Sequence, residues 1–167
     1  MPQAVRRRSG PAGAALVVAA LATSPVAAEI FYDIQGFAVG ADRSTVIEVA
    51  PDRSLVMLRV DYAPAQLGDP RAPLHGASGP CFGTIELRGS ATEGSGYCTW
   101  KDIDGSFAVI AWTADGRGRD GAVTGAWTAR GGTGKWAGAE GAGRYSAATR
   151  PRSSDRTLML EGSLSLR

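Results

Sequence analysis

Histidine is almost missing from this chain, with His75 the only one in 167 residues. Hydrolase triads need a histidine base beside a nucleophile and an orienting acid. His75 lies between Leu74 and Gly76 in a Pro-rich stretch, no Gly-x-Ser-x-Gly elbow accompanies it, and it reads as a solvated loop residue. Cysteine is nearly as scarce, with Cys81 and Cys98 alone. One His and two Cys do not make a metal-ligand set, so neither a metal nor a cofactor is expected. Helical spacing of apolar residues is also rare. After residue 28 no apolar run approaches the roughly 20 residues of a membrane-spanning helix.

The longest apolar run lies at the N-terminus and reads as an export signal. Arg6-Arg7-Arg8 forms a basic start, residues 12–22 an uncharged Ala-rich segment, and Val26-Ala27-Ala28 a small-residue cleavage site before Glu29. The paired arginines lack the Phe-Leu-Lys context of a twin-arginine signal, so the general secretory route is expected. The division is residues 1–28 as signal peptide and 29–167 as one domain, periplasmic or secreted, with no stable membrane insertion after cleavage. Residues 1–28 hold three Arg and no acid, so their removal leaves fifteen basic against sixteen acidic residues, a net of −1. The basic character thus belongs to the signal, and nucleic acid is not an expected partner. Arg150, Arg152 and Arg156, set among Ser and Pro, read as a solvated turn.

In an oxidising compartment Cys81 and Cys98 read first as a disulfide. A hairpin with a tight turn at Gly89-Ser90 would set Cys81 opposite Cys98. A looser turn near Thr92-Glu93 would displace them by several residues.

What the chain does have is alternation. Val56, Leu58, Val60 and Tyr62 alternate with Leu55, Met57, Arg59 and Asp61. Leu158, Leu160, Gly162, Leu164 and Leu166 alternate with Met159, Glu161, Ser163 and Ser165. Each pattern predicts a strand with one buried face, and Arg59, Asp61, Glu86 and Arg88 are then expected outside. Further strands are predicted at 31–39, 45–49, 82–88, 96–102, 106–113, 122–129 and 143–148. Asp104-Gly105, Asp115-Gly116 and Asp120-Gly121 are the expected turns between them. The fold class is all-β: a single antiparallel up-and-down barrel of about eight strands. Residues 63–79, with Pro64, Pro70 and Pro73, are expected to be a mouth flap, a binding loop or disorder.

Three glycine- or acid-rich motifs invite sharper readings. Gly134-Lys135 is followed by Trp136, and the early P-loop glycine is replaced by Ala129, so no phosphate cradle is expected. The run of residues 116–121 matches a dinucleotide glycine pattern, but a strand-like segment follows it where a helix is required. Asp102-Ile103-Asp104-Gly105 begins like a calcium loop, yet Thr113 stands at its twelfth position, so a β-turn is the better reading. The rings Phe82, Tyr97, Trp100, Phe107, Trp112, Trp127, Trp136 and Tyr145 fall at strand spacing, as core or girdle residues do. Their functional reading is a ring-lined ligand cavity carried by Trp100, Trp112, Trp127 and Tyr145.

Gly96-Tyr97-Cys98, Asp102-Ile103-Asp104-Gly105, Trp112 and the Gly131 to Gly138 run Gly-Gly-Thr-Gly-Lys-Trp-Ala-Gly resemble motifs of small exported bacterial proteins. The last piece is similar to one in the allene oxide cyclase and dirigent barrels. The resemblance covers about residues 81–145 and implies an eight-stranded antiparallel barrel, and with it a homo-oligomer. No catalytic residue of either plant family matches a position here. The leading expectation is non-catalytic binding of a small apolar ligand. The alternatives are an isomerase or cyclase acting on a reactive lipid or phenolic intermediate, and an envelope interaction module using residues 63–79.

Overall fold

The computed structural model describes residues 29–150 and 153–167. The proposed signal segment and Arg152 lie outside the described residues. Ten strands follow in order: β1 (Ile30–Asp42), β2 (Thr45–Ala50), β3 (Arg53–Tyr62), β4 (Gln66–Leu67), β5 (Gly79–Arg88), β6 (Ala91–Lys101), β7 (Phe107–Arg117), β8 (Val123–Gly132), β9 (Glu140–Thr149) and β10 (Asp155–Leu166). The sheet order is β2-β3-β5-β6-β7-β8-β9-β10-β1-β4, and β3 also pairs with β1. That second pairing closes β1, β3 and β5–β10 into an eight-stranded antiparallel barrel. Closure gives every barrel strand two neighbours and removes the exposed edges of an open sheet.

The predicted strands are all present, and the alternation does what was expected of it. Val56, Val60 and Tyr62 are buried, while Met57 and Arg59 are exposed on the other face. Glu86 lies outside and accepts bonds from Arg53 Nε at 2.6 Å and Arg88 Nη2 at 2.7 Å. Phe82, Tyr97 and Phe107 also point outward and are nearly half exposed, so these three rings belong to the barrel's outer face. Asp115-Gly116 is not a turn: it lies within β7, at a register shift between Ala114 and Gly116. The extra residue bends the strand there.

β1 and β2 are one bent strand. Asp42 pairs with Val60 and Thr45 with Met57 in unbroken register, and Arg43 N donates to Arg59 O at 2.7 Å across the bend. Beyond the bend all six residues of β2 are exposed.

One end of the barrel has a floor. Residues 63–78 cross it and bury Ala65, Leu67, Ala72, Leu74 and Ala77. β4 within this segment pairs with Gly36 and Phe37 of β1, and Ala65 exchanges backbone bonds with Gly76 and Ala77. His75 is not simply solvated, because its Nδ1 accepts the Leu67 N–H at 3.2 Å. The segment is therefore a packed closure at the end opposite the mouth. Its small apolar residues recur closely enough to fill the barrel end, while its prolines, which donate no backbone bond, go with strand pairing limited to β4 and the Ser78–Lys101 bridge.

Trp136 completes the floor with no exposed surface. It sits on a single 3-10 turn, Gly134–Trp136, and its Nε1 donates to Asp102 Oδ2 at 2.8 Å. Asp102 Oδ1 accepts the backbone N–H groups of Asp104 and Ser106, each at 2.9 Å. Lys135 Nζ lies 3.1 Å from Asp102 Oδ2 and 2.7 Å from Asp104 Oδ2. The Asp-x-Asp-Gly and Gly-Thr-Gly-Lys-Trp motifs thus lock onto each other. Lys135 is engaged by two carboxylates, and Asp102 has its lone pairs occupied by protein donors.

Candidate functional site

The inward face of the barrel is built from unequal side chains. Gly83, Gly96, Trp112, Trp127, Gly143 and Gly162 pair in succession across β5, β6, β7, β8, β9 and β10. The Trp112 ring lies against Gly96 and Gly83, and the Trp127 ring against Gly143 and Gly162. Two large rings thus spread over four residues that have no side chain, at one level of the barrel. Any Cβ at those glycines would collide with a ring. Tyr145 meets Trp112 edge-to-face with centroids 6.4 Å apart, and Tyr62 stacks on Trp100 at 5.7 Å. Both arrangements suit the ring quadrupole.

Between these rings lies a cavity of about 50 Å³. One water needs roughly 10–15 Å³ of such space. Trp100, Trp112, Trp127 and Tyr145, the four rings singled out from the sequence, all line it. Leu74 rises from the floor, and Leu58, Ile110, Leu158 and Leu160 contribute from the walls. Cys81 stands directly opposite Cys98 on β5 and β6, bonded as a disulfide, and both line the same space. The β5–β6 turn is the tight one at Gly89-Ser90, the geometry that brings the two sulfurs together.

At the end away from the floor, the cavity meets a wider mouth of about 360 Å³. Ile85, Val123 and Arg156 border both spaces. Arg156 is thereby placed differently from the expected solvated turn. It is the second residue of β10 and shares the inward parity of Leu158 and Leu160, so its side chain is only 13% exposed. Its Nε donates to Asp42 Oδ2 at 2.8 Å, and Asp42 is equally sheltered at 12%. Asp42 Oδ1 accepts from the Ser44 N–H at 2.9 Å. Burial would raise the Asp42 pKa, but the Ser44 bonds and the Arg156 charge outweigh it and hold the carboxyl below its ordinary value.

The polar content of the cavity wall is small. Burial pushes the Tyr62 and Tyr145 phenols well above their ordinary pKa, so both remain O–H groups. Trp127 Nε1 donates to Glu161 O at 3.1 Å. Trp112 Nε1 is buried and has no partner among the described residues. Asp102 stands outside the cavity, bound up beneath the floor. Among the described residues, no three His, Cys, Asp or Glu side chains gather as a metal site, and no helix is long and apolar enough to cross a membrane.

Sequence reasoning missed Arg156 and Asp42. Their signal was parity: extending the alternation of β10 back by two residues, and of β1 forward to 42, puts both side chains inside. Comparison of the chain with family models, with curated proteins and with solved structures gives no match.

Proposed function

We propose that this chain is an exported, periplasmic or secreted barrel protein that binds a small apolar ligand without transforming it. The carrying observation is the apolar cavity walled by Trp100, Trp112, Trp127 and Tyr145, closed at the floor and reached through one mouth. Enclosed apolar space with a few placed polar groups is how small-molecule sites are built. The resemblance to allene oxide cyclase and dirigent barrels, a kind of barrel that holds hydrophobic small molecules, supports the same reading. Among the described residues no free acid–base pair stands on the floor, which favours binding over an isomerase or cyclase. His75 is engaged with the Leu67 N–H, and the Asp102 carboxylate faces its own donors.

Native mass spectrometry of protein purified from the periplasm tests this. A small molecule retained under gentle conditions and lost on denaturation is expected. A clean unliganded mass, together with no binding of apolar probes, overturns the reading.

A further inference from the structure

The sequence places a charge where an apolar binding site has no obvious use for one. Arg156 stands at the junction of cavity and mouth, on the inward face of β10. Gly40 of β1 pairs with Arg156 on one side and with Tyr62 on the other, and the Tyr62 ring lies over Gly40. The glycine thereby leaves room for the Tyr62 ring beside the strand that carries Arg156. Asp42 takes the Nε of Arg156, and the two terminal nitrogens have no partner among the described residues. Asp42 therefore fixes the plane of the guanidinium and leaves its end-on edge unpaired.

We propose that the ligand is an amphiphile with a carboxylate head, its short apolar tail in the ring-lined cavity and its head on the terminal nitrogens of Arg156. The proposal rests on the cavity-binding reading above and deepens it. Two parallel N–H groups on a planar fork match the two oxygens of a carboxylate. A sheltered position strengthens that bond relative to one in open water. Arg117 adds a second positive charge at the mouth rim, against the single carboxylate of Asp42 in the same lining. Mouth electrostatics thus favour an anion over a cation. The cavity is small, so a tail of a few carbons or a compact branched tail fits better than a long acyl chain. Tyr62 and Tyr145 line the same cavity as Arg156, so their hydroxyls add donors to an otherwise apolar wall.

The test uses the protein's own tryptophans as reporters. Butanoate, butanol and butylammonium, whose tails are a few carbons long, are titrated into the wild-type chain and followed by fluorescence and calorimetry. Arg156→Gln alone would strand the Asp42 carboxylate, so the double variant Asp42→Asn/Arg156→Gln is measured beside it, with thermal unfolding as the check of fold. Butanoate is expected to bind at least about tenfold more tightly than butanol. That preference is expected to vanish in the folded double variant. Equal binding of butanoate and butanol, a preference for butylammonium, or an undiminished butanoate preference in the variant each overturns head-group recognition and leaves the cavity reading intact. Binding of none of the three overturns both.

Discussion

Trp112 faces Trp127 across the β7–β8 pair, and the two indoles lie over glycines in opposite directions around the barrel. Their hydrogen-bonding fates differ. Trp127 Nε1 reaches the carbonyl of Glu161, whereas Trp112 Nε1 is buried without a partner. The pair explains how an eight-stranded barrel keeps an interior space while holding so many rings: each ring lies along the wall where glycines make room.

This tiling makes the inward glycines intolerant of a methyl group. A Cβ at Gly96 would press on the Phe82 carbonyl oxygen and the Trp112 ring. Gly96→Ala is expected to cost about 1–3 kcal/mol by overpacking, read from urea unfolding. Gly89, in the β5–β6 turn at φ 55°, has open space around it. Asn tolerates that backbone region, so Gly89→Asn should change stability by only a few tenths of a kcal/mol. Equal costs at the two sites would refute the tiling.

The two indoles give a matched comparison. Trp112→Phe and Trp127→Phe both remove ring volume from the same level of the barrel. Only the second also breaks a hydrogen bond. Trp127→Phe should therefore be the more destabilising by about 1 kcal/mol. A Trp112 variant at least as unstable would mean that its N–H finds a partner in solution.

How much of this was readable beforehand follows from where side chains report their face. β3 and β10 were legible because apolar and polar residues alternate on them without interruption. The first half of β6 was not, because Gly94 and Gly96 occupy its inward positions and a glycine carries no hydrophobic mark. The floor was misread since its logic is tertiary: Leu74 and Ala77 become core only once the barrel exists beneath them. Arg156 was misread because an inward arginine beside Ser and Pro has the composition of a turn. The rings were only partly legible, because Trp100 and Trp112 face inward while Tyr97 and Phe107, at odd spacing on the same two strands, face outward, and residue type alone does not report a ring's face.

Asp102 makes the floor sensitive to acid. Burial would raise its pKa, but the bonds from Trp136, Lys135 and Ser106 more than offset this and hold it below its ordinary value. A carboxyl with a depressed folded-state pKa stabilises the fold fully above its unfolded value and loses that contribution as pH falls through the folded value. Wild-type stability should therefore drop below about pH 4. Asp102→Asn should be less stable at neutral pH by about 2–3 kcal/mol, since charge-assisted bonds are lost. Its unfolding midpoint should change less between pH 5 and pH 3 than that of the wild type. A parallel pH profile in both proteins would assign the acid sensitivity elsewhere.

The disulfide has two separable roles. Cys81 and Cys98 are 17 residues apart and join β5 to β6 inside the barrel. Closing a loop of that length restricts the unfolded chain and contributes about 3 kcal/mol. The sulfurs also line the cavity, so Cys81→Ser/Cys98→Ser changes its wall as well as its stability. Reduction alone keeps both sulfur atoms and removes only the bond. Reduced wild-type protein should lose the stability but retain butanoate binding while folded. The double serine variant should lose the stability and bind butanoate more weakly, because two hydroxyls replace apolar sulfur in the wall. Urea unfolding with and without reductant measures the first effect, and calorimetry below the unfolding transition measures the second. Loss of binding on reduction alone would show that the bond holds the cavity in shape, and that its action reaches beyond the unfolded chain.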